Sequence, residues 1–299
     1  MLALALILDA VFGEPDWLWH RLRHPVVVMG RAIGWWERRL NRGGFRRLKG
    51  VLMLAGLSAV AGLVGAFLAH PGFGGLFEVL GAAVLLAQRS LSGHVRAVAD
   101  GLGRSLEEGR GAVAMIVGRD TAALDESGVA RAAVESAAEN FSDGVVVPAF
   151  WFLVAGLPGI LIYKLINTAD SMVGYRNARF GEFGWASAKV DDLANWIPAR
   201  LSAVILCGVG GGFWAWSVVR RDAGLHRSPN AGWPEAAVAG SLGIALSGPR
   251  AYEGRMTQQP YVNAAGRKAL AAEDIRRADR LLWRGWLALL GGAALVALV

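Results

Sequence analysis

Four polar islands interrupt an otherwise apolar chain of 299 residues, and their side chains are those of phosphate, metal and proton chemistry. The densest is Glu135-Ser136-Ala137-Ala138-Glu139-Asn140-Phe141-Ser142-Asp143. On an α-helix Glu135, Glu139 and Asp143 fall within about 80° of arc, with Asn140 at the margin. Like charges four residues apart oppose one another, so a cationic partner is expected opposite them. Oxygen ligands projected from one helix suit Mg²⁺, which takes one or two carboxylates and completes its shell with phosphate oxygens and water. The bland alternative is a solvated acidic face paired with Arg. The apolar Val145-Val146-Val147 that follows directly weighs against it.

Another island comes in two stretches. In the first, helical spacing places Lys164, Asn167, Ser171 and Tyr175 on one stripe, with Asp170 about 60° beyond Asn167. In the second, Asp191, Asp192 and Asn195 share about 100° of arc. Lys164 is one of only four lysines. It could bind phosphate as a point charge, or pair with an Asp for structure alone. The N-terminal island holds Asp9, Glu14-Pro15, His24-Pro25 and Arg31. A carboxylate such as Asp9 in an apolar segment costs roughly 2.5–3.5 kcal/mol on insertion scales, which argues for a role. Arg38, Arg39, Arg42, Arg46 and Arg47 read instead as an interfacial, Arg-rich amphipathic stretch. The last island runs from His226 to Ala236. Its Pro229-Asn230-Ala231-Gly232 is turn chemistry, and Pro234 suits the first turn of a helix. Amides at Asn230-Ala231-Gly232 could hold an anion there, or the segment is simply a connecting loop. Phosphate-loop, dinucleotide-binding, HExxH and GxSxG signatures are absent from the sequence, so any use of ATP lies outside those common patterns.

Membrane helices must position these islands. Hydrophobic residues make up 54% of the chain and charged residues only 18%, against about 25% charge in ordinary soluble domains. Forty glycines and twelve tryptophans fit membrane helices and their interfaces. The expected fold is therefore all-α: a polytopic integral membrane protein with broken or re-entrant helices and long cytoplasmic segments, forming one domain over 1–299. The balance of 31 basic and 24 acidic residues gives +7. Arg-rich cytoplasmic loops account for this excess, and no nucleic-acid motif accompanies it. A single cysteine, Cys207 in an apolar run, excludes a disulfide framework.

The clearest span is Val51 to Ala69, nineteen uncharged residues or about 28 Å of helix. A charge-free turn at 70–75 leads into Leu76 to Ala87. Nine Arg or Lys residues in 13–50 and six Arg in 88–144 put both flanks on the cytoplasmic side. Leu287 to Val299, begun near Leu281, is the last expected span. The run 145–163 is divided by Pro148 and by Gly156-Leu157-Pro158-Gly159 into pieces too short to cross. It is expected to form a broken hairpin over 145–175, and Gly208 to Gly212 weakens 201–219 in the same way.

Taken in order, Leu8 to Pro15, His24 to Arg31, Glu135 to Pro148, Lys164 to Tyr175, Asp191 to Arg200 and Ser228 to Ala236 resemble the CobD/CbiB family. These are the adenosylcobinamide-phosphate synthases of cobalamin biosynthesis. The resemblance runs through nearly the whole chain. It implies a multi-pass inner-membrane enzyme whose active site faces the cytoplasm. Such an enzyme joins aminopropanol, or its O-phosphate, to the free propionate of adenosylcobyric acid as an amide, using ATP and Mg²⁺. The corrinoid is substrate rather than cofactor. Membrane lipid and other late-pathway enzymes are the expected partners, and nucleic acid is not.

A carboxylate is a poor acyl electrophile and needs activation, most simply as an acyl phosphate. The incoming ammonium must lose a proton. On that chemistry, Glu135, Glu139 and Asp143 are expected to supply the metal ligands and the base. Lys164 and Arg176 are expected to hold phosphate. Asp170, Asp191, Asp192 and Asn195 would be further metal ligands or amine-orienting groups, with Asn140 and Asn167 beside them as binding residues. His24 and Arg31 would meet the corrinoid's propionamide edge, and Asn230 would help cradle phosphate. The competing readings are a non-catalytic corrinoid carrier or scaffold of the late pathway, and a membrane transferase using a prenyl diphosphate. A transporter is disfavoured because no paired hydrophobic halves are visible.

Overall fold

The computed structural model describes residues 1–14, 16–73, 75–118, 120–252, 255–257 and 259–298; Pro15 of the N-terminal island lies outside them. Helices follow one another as α1 (Leu2–Phe12), α2 (Asp16–Trp19), α3 (Pro25–Leu40), α4 (Arg46–Leu68), α5 (Leu76–Leu85), α6 (Gln88–Arg104) and α7 (Leu106–Ala114). The order continues with α8 (Glu126–Phe141), α9 (Val147–Val173), α10 (Trp185–Ala194), α11 (Trp196–Val209), α12 (Gly212–Asp222), α13 (Gly232–Leu242) and α14 (Ala272–Val296). The chain is 75% helical with almost no strand, as an all-α fold requires. Two small antiparallel pairs, of which the helical patterning gives no hint, lie between α13 and α14. In one, β1 (Leu246–Ser247) pairs with β4 (Tyr261–Val262); in the other, β2 (Arg250–Tyr252) pairs with β3 (Arg255–Thr257).

Three helical stretches, Arg46–Leu68, Leu76–Arg104 and Glu126–Val173, are long and apolar enough to cross a membrane, which is consistent with a membrane protein. The C-terminal run differs from expectation. It forms the end of α14 but is not among the three, because charged residues from Glu273 to Arg284 occupy the rest of that helix. The 201–219 run is divided between α11 and α12, and α9 leaves helical geometry at Ala155 and Gly156.

The residues form two compact units, each assembled from separate stretches of chain: 1–87 with 147–196 and 297–299, and 88–146 with 197–296. In the first, Ile33 of α3, Met53 and Leu54 of α4, and Leu165, Ile166 and Ala169 of α9 share a core that Phe183 closes. Small residues let the helices approach. A Cβ on Gly65 of α4 would lie 2.6 Å from the Pro158 Cα and 2.7 Å from its nitrogen. Backbone atoms cannot step aside, so Gly65→Ala is expected to cost about 1–3 kcal/mol. Thermal unfolding of the solubilised protein should show a clear fall in Tm, and an unchanged Tm would mean that α4 and α9 separate freely.

His24 caps α3. Its Nδ1 accepts from the Val26 amide, which leaves Nε2 to carry the proton and donate to the Val84 carbonyl at 3.2 Å. Between α3 and α4 the chain turns through Phe45, whose φ of 58° and ψ of 29° are left-handed. That conformation costs a non-glycine residue about 1–2 kcal/mol.

In the second unit α8 is lined by buried Ala130, Ala132, Ala133, Ala137 and Ala138, side chains small enough for close helix packing. The Asp125 side chain caps it by accepting from the Gly128 amide at 2.7 Å. Asp279 of α14 is buried, yet it accepts from Ser92 at 2.6 Å and from Arg96 at 2.7 Å on α6. That satisfies a charge which would otherwise be costly inside the protein.

Candidate functional site

In each unit, one grouping of polar side chains gathers several of the expected site residues. In the second unit, a cavity of about 270 Å³ is lined by Glu135, Ser136, Glu139 and Asn140 of α8, by His226 and Glu235, and by the 116–118 turn. Glu139 and Asn140 are exposed, whereas Glu135 is 5% exposed and its Oε1 accepts from the Ser247 amide at 2.6 Å. That bond ties β1 to α8. Asp143 does not join Glu135 and Glu139 in the cavity lining. Asp143 lies in a π-helical turn at Ser142–Val146, whose winding departs from the α-helical period of α8. Ser142 anchors that turn, its hydroxyl 3.1 Å from that of Ser202.

Residue-type reasoning does not single out His226 and Glu235. The His226 Nδ1 accepts from the Ser228 amide at 3.0 Å, and its Nε2 lies 3.6 Å from the Glu235 Oε1. A single histidine in a turn-rich stretch and a Glu in the first turn of α13 are the only signals. The neighbouring loop closes on itself. The Asn230 and Ala231 amides both donate to Ser228 Oγ, and the Asn230 side chain accepts from Arg200 at 2.8 Å. Two of the amides expected to face a phosphate are thus already bonded within the chain.

In the first unit α9 and α10 bring Tyr163, Asn167, Asp191 and Asn195 into one network. Tyr163 donates to the Asn195 Oδ1 at 3.2 Å. The Asn195 and Asn167 amides donate to the two Asp191 oxygens, at 3.0 and 3.3 Å. Burial pushes the Asp191 carboxyl up to about 7; the charges of Asp170 and Asp192 add to this, against the two amide hydrogen bonds. Asp192 lies 3.9 Å from Lys189. Lys164 is half-buried one turn before Thr168, whose hydroxyl donates to the Lys164 carbonyl. Gly174 follows α9 because a Cβ there would strike the Asp170 carboxylate and carbonyl. Arg176 is exposed on the loop beyond it, and Arg31 is exposed on α3. A second cavity, about 260 Å³ and apolar, is lined by Trp151, Ile162, Tyr163, Ile166, Leu193 and their neighbours. The Tyr163 ring therefore faces apolar space while its hydroxyl serves the polar network.

Among the described residues no group of three or more His, Cys, Asp or Glu side chains is gathered to hold a metal ion. The oxygen-rich Asp191 and Asp192 still fit the mode in which Mg²⁺ arrives with phosphate oxygens and takes one or two carboxylates.

A family model described as CobD/Cbib protein matches residues 2–282. Proteins named "Cobalamin biosynthesis protein CobD" are similar throughout. That of Sinorhizobium fredii is 50% identical, covering 100% of this chain and 96% of its own length. The Rhizobium meliloti protein is 52% identical over 93% and 90% of the two chains, and the Brucella suis protein 51% over 95% and 92%. No solved structure matches. An α-helical protein with apolar helices of membrane-crossing length and two polar centres is the class that fold and site define. Within that class, the chain belongs to the CobD/CbiB family.

Proposed function

We propose that the protein acts in cobalamin biosynthesis as an ATP-dependent ligase of the inner membrane, its polar centres facing the cytoplasm. It would join an aminopropanol-type amine to adenosylcobyric acid as an amide. The observation that carries this reading is the likeness, at about half identity and over the full length, to proteins named for cobalamin biosynthesis. Membership of the family supports it, and the chemistry of the two centres is compatible with it.

Bound Mg·ATP would supply the phosphoryl group that activates the propionate and the cation that neutralises its charge. Asp191 and Asp192 would hold the ion, with Asn167 and Asn195 fixing the Asp191 carboxylate through its two oxygens. Lys164 and Arg176 would meet phosphate oxygens. In the second unit, Glu139, exposed and lining the polar cavity, would accept the proton of an ammonium bound there. The cavity is smaller than the roughly 300–1,000 Å³ of drug-sized sites, a size suited to a small amine and too small for a corrinoid. Glu135, held by Ser247, would keep the cavity wall in place.

The direct test uses the solubilised full chain with adenosylcobyric acid, aminopropanol phosphate and Mg·ATP. Corrinoid products are followed by mass spectrometry. The expected result is the mass of the condensed amide, appearing only when ATP and both substrates are present. Corrinoid binding by folded, lipid-replete protein with no change of mass would favour the carrier reading instead.

A further inference from the structure

The corner between α3 and α4 combines features that the ligase chemistry does not use. From Arg38 to Lys49 the chain holds six basic residues and no acidic one. Arg38, Arg39, Arg42 and Arg47 are exposed and interleaved with exposed apolar side chains: Trp35, Trp36, Phe45 and Leu48. Phe45 is 83% exposed although it occupies a left-handed conformation that disfavours any residue with a Cβ. At that exposure, packing within the unit does not offset the strain. A strained, exposed aromatic points to something outside the chain.

The corner is also rigidly held. Lys49 donates to the Arg42 carbonyl at 2.7 Å, and Asn41 donates to the Arg179 carbonyl at 3.0 Å. Arg46 is paired with Glu182 at 2.9 Å. The Arg39 guanidinium lies 3.7 Å from the Trp35 ring centroid and that of Arg47 3.6 Å from Trp185. Stacking of this kind holds each guanidinium in place while its edge stays open to acceptors. The corner sits where α4, a helix of membrane-crossing length, begins. Aromatic and basic side chains interleaved at such a boundary match a bilayer's headgroup layer, and the uniform positive charge selects anionic lipid.

We propose that the α3–α4 corner is a binding site for an anionic phospholipid, with Phe45 entering the boundary between acyl chains and headgroups while Arg42 and Arg47 hold the lipid phosphate. The site is independent of the ligase reading. Its occupant is a lipid of the surrounding bilayer, not a free phosphate ion.

The test is lipid retention by the full chain. Protein is exchanged into neutral micelles containing phosphatidylglycerol and phosphatidylcholine in equal amounts, and bound lipid is identified by native mass spectrometry. Wild type is expected to prefer phosphatidylglycerol by about 10-fold or more, with each lost charge lowering that preference about 5-fold. R42Q/R47Q should therefore nearly abolish it. F45G should also weaken it, yet unfold at a temperature no lower than wild type in lipid-free neutral micelles, because glycine adopts the left-handed turn freely. The proposal is overturned if wild type shows no preference, or if either variant keeps the wild-type preference. It is also overturned if inorganic phosphate at matched ionic strength displaces the lipid, or if F45G unfolds at a lower temperature than wild type, which would assign Phe45 to internal packing.

Discussion

Glu139→Gln is expected to reduce single-turnover amide formation by about 10²–10⁴-fold, the usual range for a lost general base. Glu139 is exposed on α8 and lines the polar cavity, and Gln keeps its volume while removing the charge and the proton acceptor. Yield and elution of the solubilised protein should match wild type. Glu135→Gln is the internal control. Its target is buried and accepts from the Ser247 amide, so converting a charged acceptor to a neutral one should act on stability. Charge-assisted hydrogen bonds contribute about 1.5–3 kcal/mol, and part of that would be lost. Wild-type turnover by Glu139→Gln together with a folded but inactive Glu135→Gln would move the proton acceptor one helical turn back.

Asp191 should make stability depend on pH in an unusual direction. Its carboxyl is raised from 3.8 to about 7 in the folded protein, first by burial and then by Asp170 and Asp192. Between those values the folded state holds a proton that the unfolded chain has released. Folding is therefore favoured at low pH and loses that advantage as pH rises through about 7. A tenfold change in proton affinity between the two states is worth about 1.4 kcal/mol, so the loss is on the order of a few kcal/mol. Thermal midpoints at pH 5 and pH 8, with divalent cations chelated, should differ clearly in wild type and much less in Asp191→Asn. The variant should also lose activity by about 10–100-fold, as happens when groups supporting a metal are misaligned. Its new amide nitrogen would face the donors of Asn167 or Asn195. An equal pH response in both proteins would assign the titration elsewhere.

Hydropathy makes the first hairpin legible: the expected span Val51 to Ala69 lies almost wholly within α4, and Leu76 to Ala87 contains α5. Helical spacing also groups Asp191 with Asn195, one turn apart at the end of α10, whereas the bond from Asn167 of α9 to Asp191 comes from the packing of the two helices. Asp143, the third member of the expected stripe, lies in a π-helical turn, outside the regular 3.6-residue winding on which that stripe is drawn. The tie that holds Glu135 is hidden from the sequence. Its partner Ser247 stands 112 residues later, in a two-residue strand that no local pattern announces. The pairing of His226 with Glu235 is equally hidden, since it depends on how the turn between them folds back and not on periodicity.

The order in which the chain emerges during synthesis sets a particular problem. Gly65 of α4 is shaped to receive Pro158, and Gly50 at the other end of that helix abuts Phe183. At translation rates of about 5–20 residues per second, α4 waits roughly 5–25 seconds for these two partners. The stretch 88–146, which belongs to the other unit, is made in between. For that interval the small-residue face of α4 is unfilled by protein and must be screened by lipid tails or an insertion chaperone. The expected weak point in the biogenesis of this protein is therefore the lifetime of a half-made unit, more than the stability of the finished one.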